Sequence, residues 1–212
     1  VCEQHFCGGE PAHVLSCFLT LLAGSIKQAR HRCEGEKMQI AGSKFVITGG
    51  ASLIGSHVAD ALLAQGAGEV VLLDNFSLGT PETVAHLSGE PRVKLLKGDI
   101  LRVNELYDAF KGAQGVFAIA GFLTLPMSQN PPLGLAVNVE GQVNTFEACR
   151  YAGVKKLVFS SSIAAYGEPE DGGVIDETAP ANLANYQPGS MLYSCTKLIG
   201  EALCKLYSQK HG

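Results

Sequence analysis

Phe45-Val46-Ile47-Thr48-Gly49-Gly50-Ala51-Ser52-Leu53-Ile54-Gly55 is the stretch on which the fold turns. Its apolar opening reads as a buried strand and its glycines as a tight turn. Ile54, Val58 and Leu62, repeating every four residues, open a helix with those residues along one face. A strand, a glycine turn and a helix in that order form an anion site. The helix start offers free N–H groups and a partial positive charge, and glycines let backbone bend sharply and touch a phosphate. A bare glycine pattern also occurs in ordinary turns, so its context decides.

Outward from that stretch, strand and helix patterns alternate. Short runs rich in Val, Ile and Leu predict strands at 44–48, 69–74, 93–97, 115–120 and 156–160. Helical patterns fall at 101–111, at 133–152 with Gly141 as a tolerated weak point, and at 190–209. The last carries Leu192, Cys195, Ile199, Ala202 and Leu206 on one apolar side. Repeated β-α-β units with right-handed crossovers predict an α/β fold, a Rossmann-like doubly wound parallel sheet. The segment 167–187, rich in Gly, Pro, Asp and Glu, is long enough to be a functional loop.

The 212 residues allow one domain or slightly more. Apolar content of 46% and charged content of 17% suit a globular protein that buries a core. A net charge of −4 with no Lys/Arg run gives no reason for a nucleic-acid partner, and no apolar stretch is long enough for a membrane span. Residues 1–37 differ in character from the rest of the chain. They hold Cys2, Cys7, Cys17 and Cys33 and an apolar run whose preceding residues lack the basic character of a signal peptide. Either Met38 is the natural start, or 1–37 is a genuine extension or degenerate targeting segment. No cysteine or histidine spacing suits a metal. Cys149, Cys195 and Cys204 read as reduced, mostly buried thiols of a cytosolic (cytoplasmic) protein. The six histidines sit in no motif.

The second strand ends in Asp74, followed by Asn75-Phe76-Ser77. A carboxylate there accepts the ribose hydroxyls of NAD and repels a 2′-phosphate, and no Arg follows to reverse the preference. The plainer reading is an acid capping a turn. Tyr193 and Lys197 stand at i and i+4, on one side of a helix. A phenol is a poor base at neutral pH, and a nearby ammonium favours the phenolate. Alone, such a pair is a common helix-surface pattern. Ser162, expected at the end of the fifth strand, is placed to hydrogen-bond a reacting hydroxyl, because ligands gather at the carboxyl ends of such strands.

Thr48-Gly49-Gly50 with Gly55, Asp74, Gly98-Asp99-Ile100, Ser160-Ser161-Ser162 with Tyr166-Gly167, and Tyr193 with Lys197 occur in that order. By these residues the chain from about Lys44 to Gly212 resembles the extended short-chain dehydrogenase/reductase family, nearest to its nucleotide-sugar epimerases of the UDP-glucose 4-epimerase type. The resemblance implies Ser162, Tyr193 and Lys197 as catalytic residues. It implies NAD bound by Gly49, Gly50, Ser52, Leu53, Ile54 and Gly55 at the turn and by Asp74, Asn75 and Ser77 beyond the second strand. Asp99 and Ile100 would border the adenine. Ala120, Gly121, Asn138 and Ser160 would lie along the cofactor, with Tyr193 and Lys197 beside it. The family pattern has glycine where this chain has Ser52. A Cβ there would crowd the pyrophosphate, so Ser52→Gly is expected to tighten NAD binding.

The implied reaction is removal of a sugar hydroxyl proton by Tyr193 while hydride passes to NAD, giving a keto-sugar that takes the hydride back on its other face. Dehydratase and decarboxylase relatives carry acids after the serine. Here Ile163-Ala164-Ala165 follows, which leaves epimerisation or simple oxidation and reduction. The alternatives are a reductase or dehydrogenase of another alcohol and a non-catalytic NAD-binding module. Family members continue into a further strand and a C-terminal substrate domain, so this chain is expected to lack that domain, as a fragment would. They commonly dimerise through two long helices, here 133–152 and 190–209, which makes a homodimer the expected assembly.

Overall fold

A computed structural model describes residues 38–167, 173–176 and 178–212. The expectations for residues 1–37 lie outside the described residues, as does part of the 167–187 loop.

The strands are β1 (Lys44–Thr48), β2 (Glu69–Asp74), β3 (Val93–Lys97), β4 (Gly115–Ala118) and β5 (Lys156–Phe159). They form one parallel sheet in the order β3-β2-β1-β4-β5. Side chains alternate across a strand, and each face needs its own cover. Val46, Val71, Leu73 and Val116 join one buried cluster with Leu106, Phe110 and Ala148. Those three come from helices α2 (Val103–Phe110) and α5 (Gly141–Ala152). Phe45, Ile47, Val70 and Leu72 turn to the other face, where they meet Ala59 and Leu62 of α1 (Leu53–Ala64) and Val84 and Leu87 of a 3₁₀ segment, Pro81–Leu87. The sheet is therefore doubly wound, as the apolar central strands β1, β2 and β4 require, while the edge strand β3 is mostly exposed.

Strand order reverses beside β1. The chain passes from β1 to β2 and β3 on one side, then returns to β4 on the other. In such sheets the crevice above the carboxyl ends at the reversal is where a ligand fits. Gly49 follows β1 there, and Ile119 and Ala120 follow β4.

Several predicted elements differ in detail. β4 ends at Ala118 rather than residue 120, and β5 at Phe159 rather than residue 160. Ser162 thus stands beyond the fifth strand, where its Oγ accepts from the Ala164 N–H and caps a 3₁₀ turn, Ile163–Ala165. The long helix predicted at 133–152 is α4 (Pro131–Leu135), a π-helical turn (Ala136–Glu140) and α5, run together. Gly141 is a contact rather than a weak point, since a Cβ there would stand 2.5 Å from Ile100 Cδ1. A short helix, α3 (Thr124–Gln129), was not predicted. Its Thr-Leu-Pro-Met-Ser-Gln sequence is too short to show a period. On α1 the inward face is Gly55, Ser56, Ala59 and Leu62, while Ile54 is 43% exposed.

The last helix, α6 (Pro188–His211), reverses the expected sidedness. Tyr193, Ser194, Thr196, Lys197 and Gly200 are buried, while Ile199 and Leu206 are exposed. Cys195, read from sequence as packing, is exposed too. The buried face is polar because it meets other polar groups, and the apolar face is left outward. Cys149 is buried, Cys204 is half-buried, and all three described cysteines are free. Among the described residues no helix is long and apolar enough to cross a membrane.

Candidate dinucleotide and active site

Gly49 turns the chain out of β1 with φ of 69°, a left-handed conformation that suits glycine. Gly55 lets α1 start against that turn, because a Cβ there would meet the Gly49 carbonyl at 2.6 Å. Ser52 caps α1. Its Oγ accepts from the Gly55 N–H at 3.1 Å and donates to the Gly49 carbonyl at 2.6 Å. Its φ of −106° makes no demand for glycine. The Gly49 and Gly50 N–H groups are used on the Leu73 carbonyl, and that of Ala51 on Asp74 Oδ2. The N–H groups of Ser52, Leu53 and Ile54 donate to no described group. With Leu53 and Ile54 exposed, these are the free donors of a helix start.

Asp74 is 8% exposed. Its Oδ2 accepts from Ala51 N–H at 3.0 Å and its Oδ1 from Phe76 N–H at 2.8 Å. Phe76 has φ of 58°, the only positive φ among described non-glycine residues. That conformation is strained for a bulky side chain. The Asp74 bond and a second one, from Ser77 N–H to Asn75 Oδ1 at 3.0 Å, hold the bend. Asn75 also reaches across to the next loop, its Nδ2 donating to Asp99 Oδ2 at 3.1 Å. Asp99 is fixed in turn by Leu101 N–H on Oδ1, and its own N–H is taken by Glu105 Oε2 at 2.8 Å.

One crevice joins these groups. Gly49, Ser52, Asp74, Asn75, Ser77, Asp99, Ile100, Ala120 and Gly121, all predicted, line it. Phe122, Val137 and Gly79, not predicted, line it as well. They follow no glycine or acid signature, so only the tertiary fold brings them there. Gly50, Leu53, Ile54 and Gly55 form the turn rather than the crevice wall.

Asn138, in the π-helical turn, stands behind that wall. It is 4% exposed. Its Oδ1 accepts from Phe122 N–H at 2.7 Å, and its Nδ2 donates to the Phe122 carbonyl at 2.9 Å and to Thr196 Oγ1 at 3.2 Å. The side chain therefore binds the wall to α6. Thr196, which the sequence pattern does not single out, sits between Tyr193 and Lys197 and donates to the Tyr193 carbonyl at 2.7 Å.

Lys197 is 7% exposed, and its Nζ donates to the Ser160 carbonyl at 2.8 Å. Burial brings its ammonium down to about 8. The Nζ lies 5.1 Å from the centre of the Phe159 ring and 5.7 Å from that of Tyr193. A Cβ on Gly121 would stand 3.9 Å from that Nζ, so the ammonium reaches the crevice wall. Tyr193 is 7% exposed. Its hydroxyl bonds to no described group and is not among the sealed polar atoms, so it keeps contact with solvent. Ser160 Oγ is used on the Ala118 carbonyl, Ser161 Oγ on Glu201, and Ser162 Oγ on the Ala164 amide. The α6 helix packs directly on the turn that Ser162 caps.

The family model for the NAD dependent epimerase/dehydratase family matches residues 45–212. The chain belongs to that family. NAD is the family's cofactor, and the free amides at Ser52–Ile54 beside a crevice holding Asp74 suit a dinucleotide's phosphates and ribose. A UDP-glucose 4-epimerase of Streptomyces lividans is 37% identical over 164 residues, covering 75% of this chain and 47% of that protein. Among solved structures, the UDP-glucose 4-epimerase of Thermus thermophilus in complex with NAD is 32% identical with a TM-score of 0.67, over 80% of this chain and 52% of that one. The Brucella ovis UDP-glucose 4-epimerase, also in complex with NAD, is 30% identical with a TM-score of 0.68, over 80% and 49%. The chain spans about half the length of the relatives it matches.

Proposed function

We propose that the chain is the NAD-binding part of a nucleotide-sugar epimerase of the UDP-glucose 4-epimerase kind. The observation that carries this is the Tyr193–Lys197 pair, with the Lys197 ammonium at the crevice wall and the Tyr193 hydroxyl bonded to no described group and touched by solvent. When bound, NAD supplies the hydride acceptor and then the hydride donor. Tyr193 takes the proton from the reacting sugar hydroxyl, and Lys197 favours the phenolate by its charge. Ser162 is the hydroxyl's other partner, freed from the weak cap on Ala164 N–H, which is 3.2 Å long. Ile163, beside it, is 74% exposed and brings no acid, which supports epimerisation over loss of water or carbon dioxide.

The free amides of Ser52, Leu53 and Ile54 take the pyrophosphate, Asp74 the adenosine ribose, and Asp99 and Ile100 border the adenine. A homodimer forms through the two long helical segments, residues 131–152 and α6, the latter with Cys195, Ile199 and Leu206 exposed on its outward apolar face. The three free thiols among the described residues suit a cytoplasmic protein.

The test is interconversion of UDP-glucose and UDP-galactose, with NAD, by this chain and by any longer product of its gene. Turnover by either supports the epimerase. Oxidation of a different alcohol with no interconversion supports a reductase instead. NAD binding without any turnover in either leaves a binding module.

A further inference from the structure

Among the described residues one buried side-chain polar atom has no hydrogen-bond partner, the Oε1 of Gln142, in a residue 2% exposed. An acceptor sealed from water without a donor weakens a fold. A methionine would fill the same length without that cost. What the amide adds is its donor end, and Gln142 Nε2 bonds the Ala120 carbonyl at 2.7 Å.

Ala120 opens the three-residue segment that walls the crevice beside Lys197. Its N–H reaches Thr48 Oγ1 at 3.4 Å, and Gln142 takes its carbonyl. Asn138 holds both the N–H and the carbonyl of Phe122. Between these two clamps, the N–H and carbonyl of Gly121 bond to no described group, although Gly121 lines the crevice. The segment is splinted at both ends, and its free peptide groups belong to a residue that lines the crevice.

We propose that Gln142 is a positioning residue for cofactor binding: through the Ala120 carbonyl it sets the orientation of Gly121, whose free N–H and carbonyl serve the polar groups of the dinucleotide on the Lys197 side of the crevice. This rests on the reading of the crevice as the NAD site. Gln142 touches no ligand itself and acts through Ala120.

Gln142→Met and Gln142→Glu are compared with the full chain. Melting is followed by circular dichroism, NAD binding by calorimetry, and hydrogen exchange of the Phe122 amide by NMR without cofactor. The expected Gln142→Met protein exchanges the unpaired Oε1 for an unpaired Ala120 carbonyl and so melts close to the parent, exchanges faster at Phe122 and binds NAD about fivefold more weakly, as loss of one hydrogen bond implies. Gln142→Glu places a carboxylate against the Ala120 carbonyl and weakens NAD binding further. A lowered melting temperature with parental exchange and parental NAD affinity would mean packing alone and would overturn the proposal. So would faster exchange with unchanged affinity. If the parent chain itself binds no NAD, the crevice reading fails on its own, and with it the role assigned to Gln142.

Discussion

Lys197 Nζ and the Ser160 carbonyl oxygen lie 2.8 Å apart, and through that bond α6 is tied to the end of β5. An ammonium held this way is nearly out of water, which costs its charged form solvation. Burial leaves it at about 8, against 10.5 for a free lysine. Its folded value is lowered, so between pH 8 and 10.5 the unfolded chain binds the additional proton and stability rises with pH. The whole shift corresponds to about 3 kcal/mol. Urea unfolding of the parent and of Lys197→Met at pH 7.5 and pH 10 checks this, both buffers being experimental settings roughly bracketing the window. The parent should gain on the variant at the higher pH, and a constant gap would contradict the assignment.

Tyr193→Phe should leave stability within about 0.5 kcal/mol of the parent, because the hydroxyl it removes has no partner among the described residues. In a protein with epimerase activity, the same change should lower kcat by about 10²- to 10⁴-fold, the range for loss of a general base. Thermal melts and steady-state kinetics read the two effects separately. A melting loss as large as a core deletion would show the hydroxyl to be structural.

Ser52 offers a cleaner contrast than its position in the motif suggests. Its Oγ occupies the Gly55 N–H. Ser52→Ala should cost about 1 kcal/mol of stability and Ser52→Gly only a few tenths, since glycine is itself tolerated at a helix cap. Ser52→Gly also frees the Gly55 amide for an anion and removes the Cβ, so NAD should bind more tightly. Calorimetry showing equal or weaker affinity would mean that the capped turn already has its best shape.

Asp74→Ala strips the partner from the Ala51 amide, a buried residue, and from the Phe76 amide. The unpaired buried donor alone predicts a loss of about 1–3 kcal/mol. NAD affinity should fall with it. Asp74→Asn keeps the size and one acceptor, and should lie between the alanine variant and the parent in both measurements.

Ile199→Glu with Leu206→Glu places charge on the outward face of α6, where both positions are exposed. If that face joins two copies, light scattering should report a monomer with an unchanged fold. A parent that is itself monomeric would rule out the assembly.

The sheet was legible because its central strands β1, β2 and β4 are buried, and apolar runs such as Val70-Val71-Leu72-Leu73 show that directly, whereas the edge strands β3 and β5 leave side chains such as Leu95 and Leu96 exposed. Three of five strand ranges agree to the residue, and the other two run on by one or two positions. At both overruns the last residue's carbonyl leaves the ladder: that of Ala120 is taken by Gln142 Nε2 and that of Ser160 by Lys197 Nζ. The glycine turn and Asp74 could be found because each has a distinctive residue type at a fixed place. Gln142 and Thr196 could not, since their significance lies in partners 22 and 58 residues away. The helix face of α6 was misjudged for a related reason. Apolar periodicity assumes a greasy interior, whereas Asn138 and the Ser160 carbonyl reward a polar one.

The left-handed turn at Phe76 bears on any attempt to retarget this crevice toward a phosphorylated ribose. The carboxylate that would have to be replaced is the same group that latches the awkward bend, through the Phe76 amide. Swapping the acid for a cation would release the latch while keeping the bulky residue in a conformation it disfavours. Redesign must therefore begin one step further along the loop, with glycine at position 76, before the charge is changed.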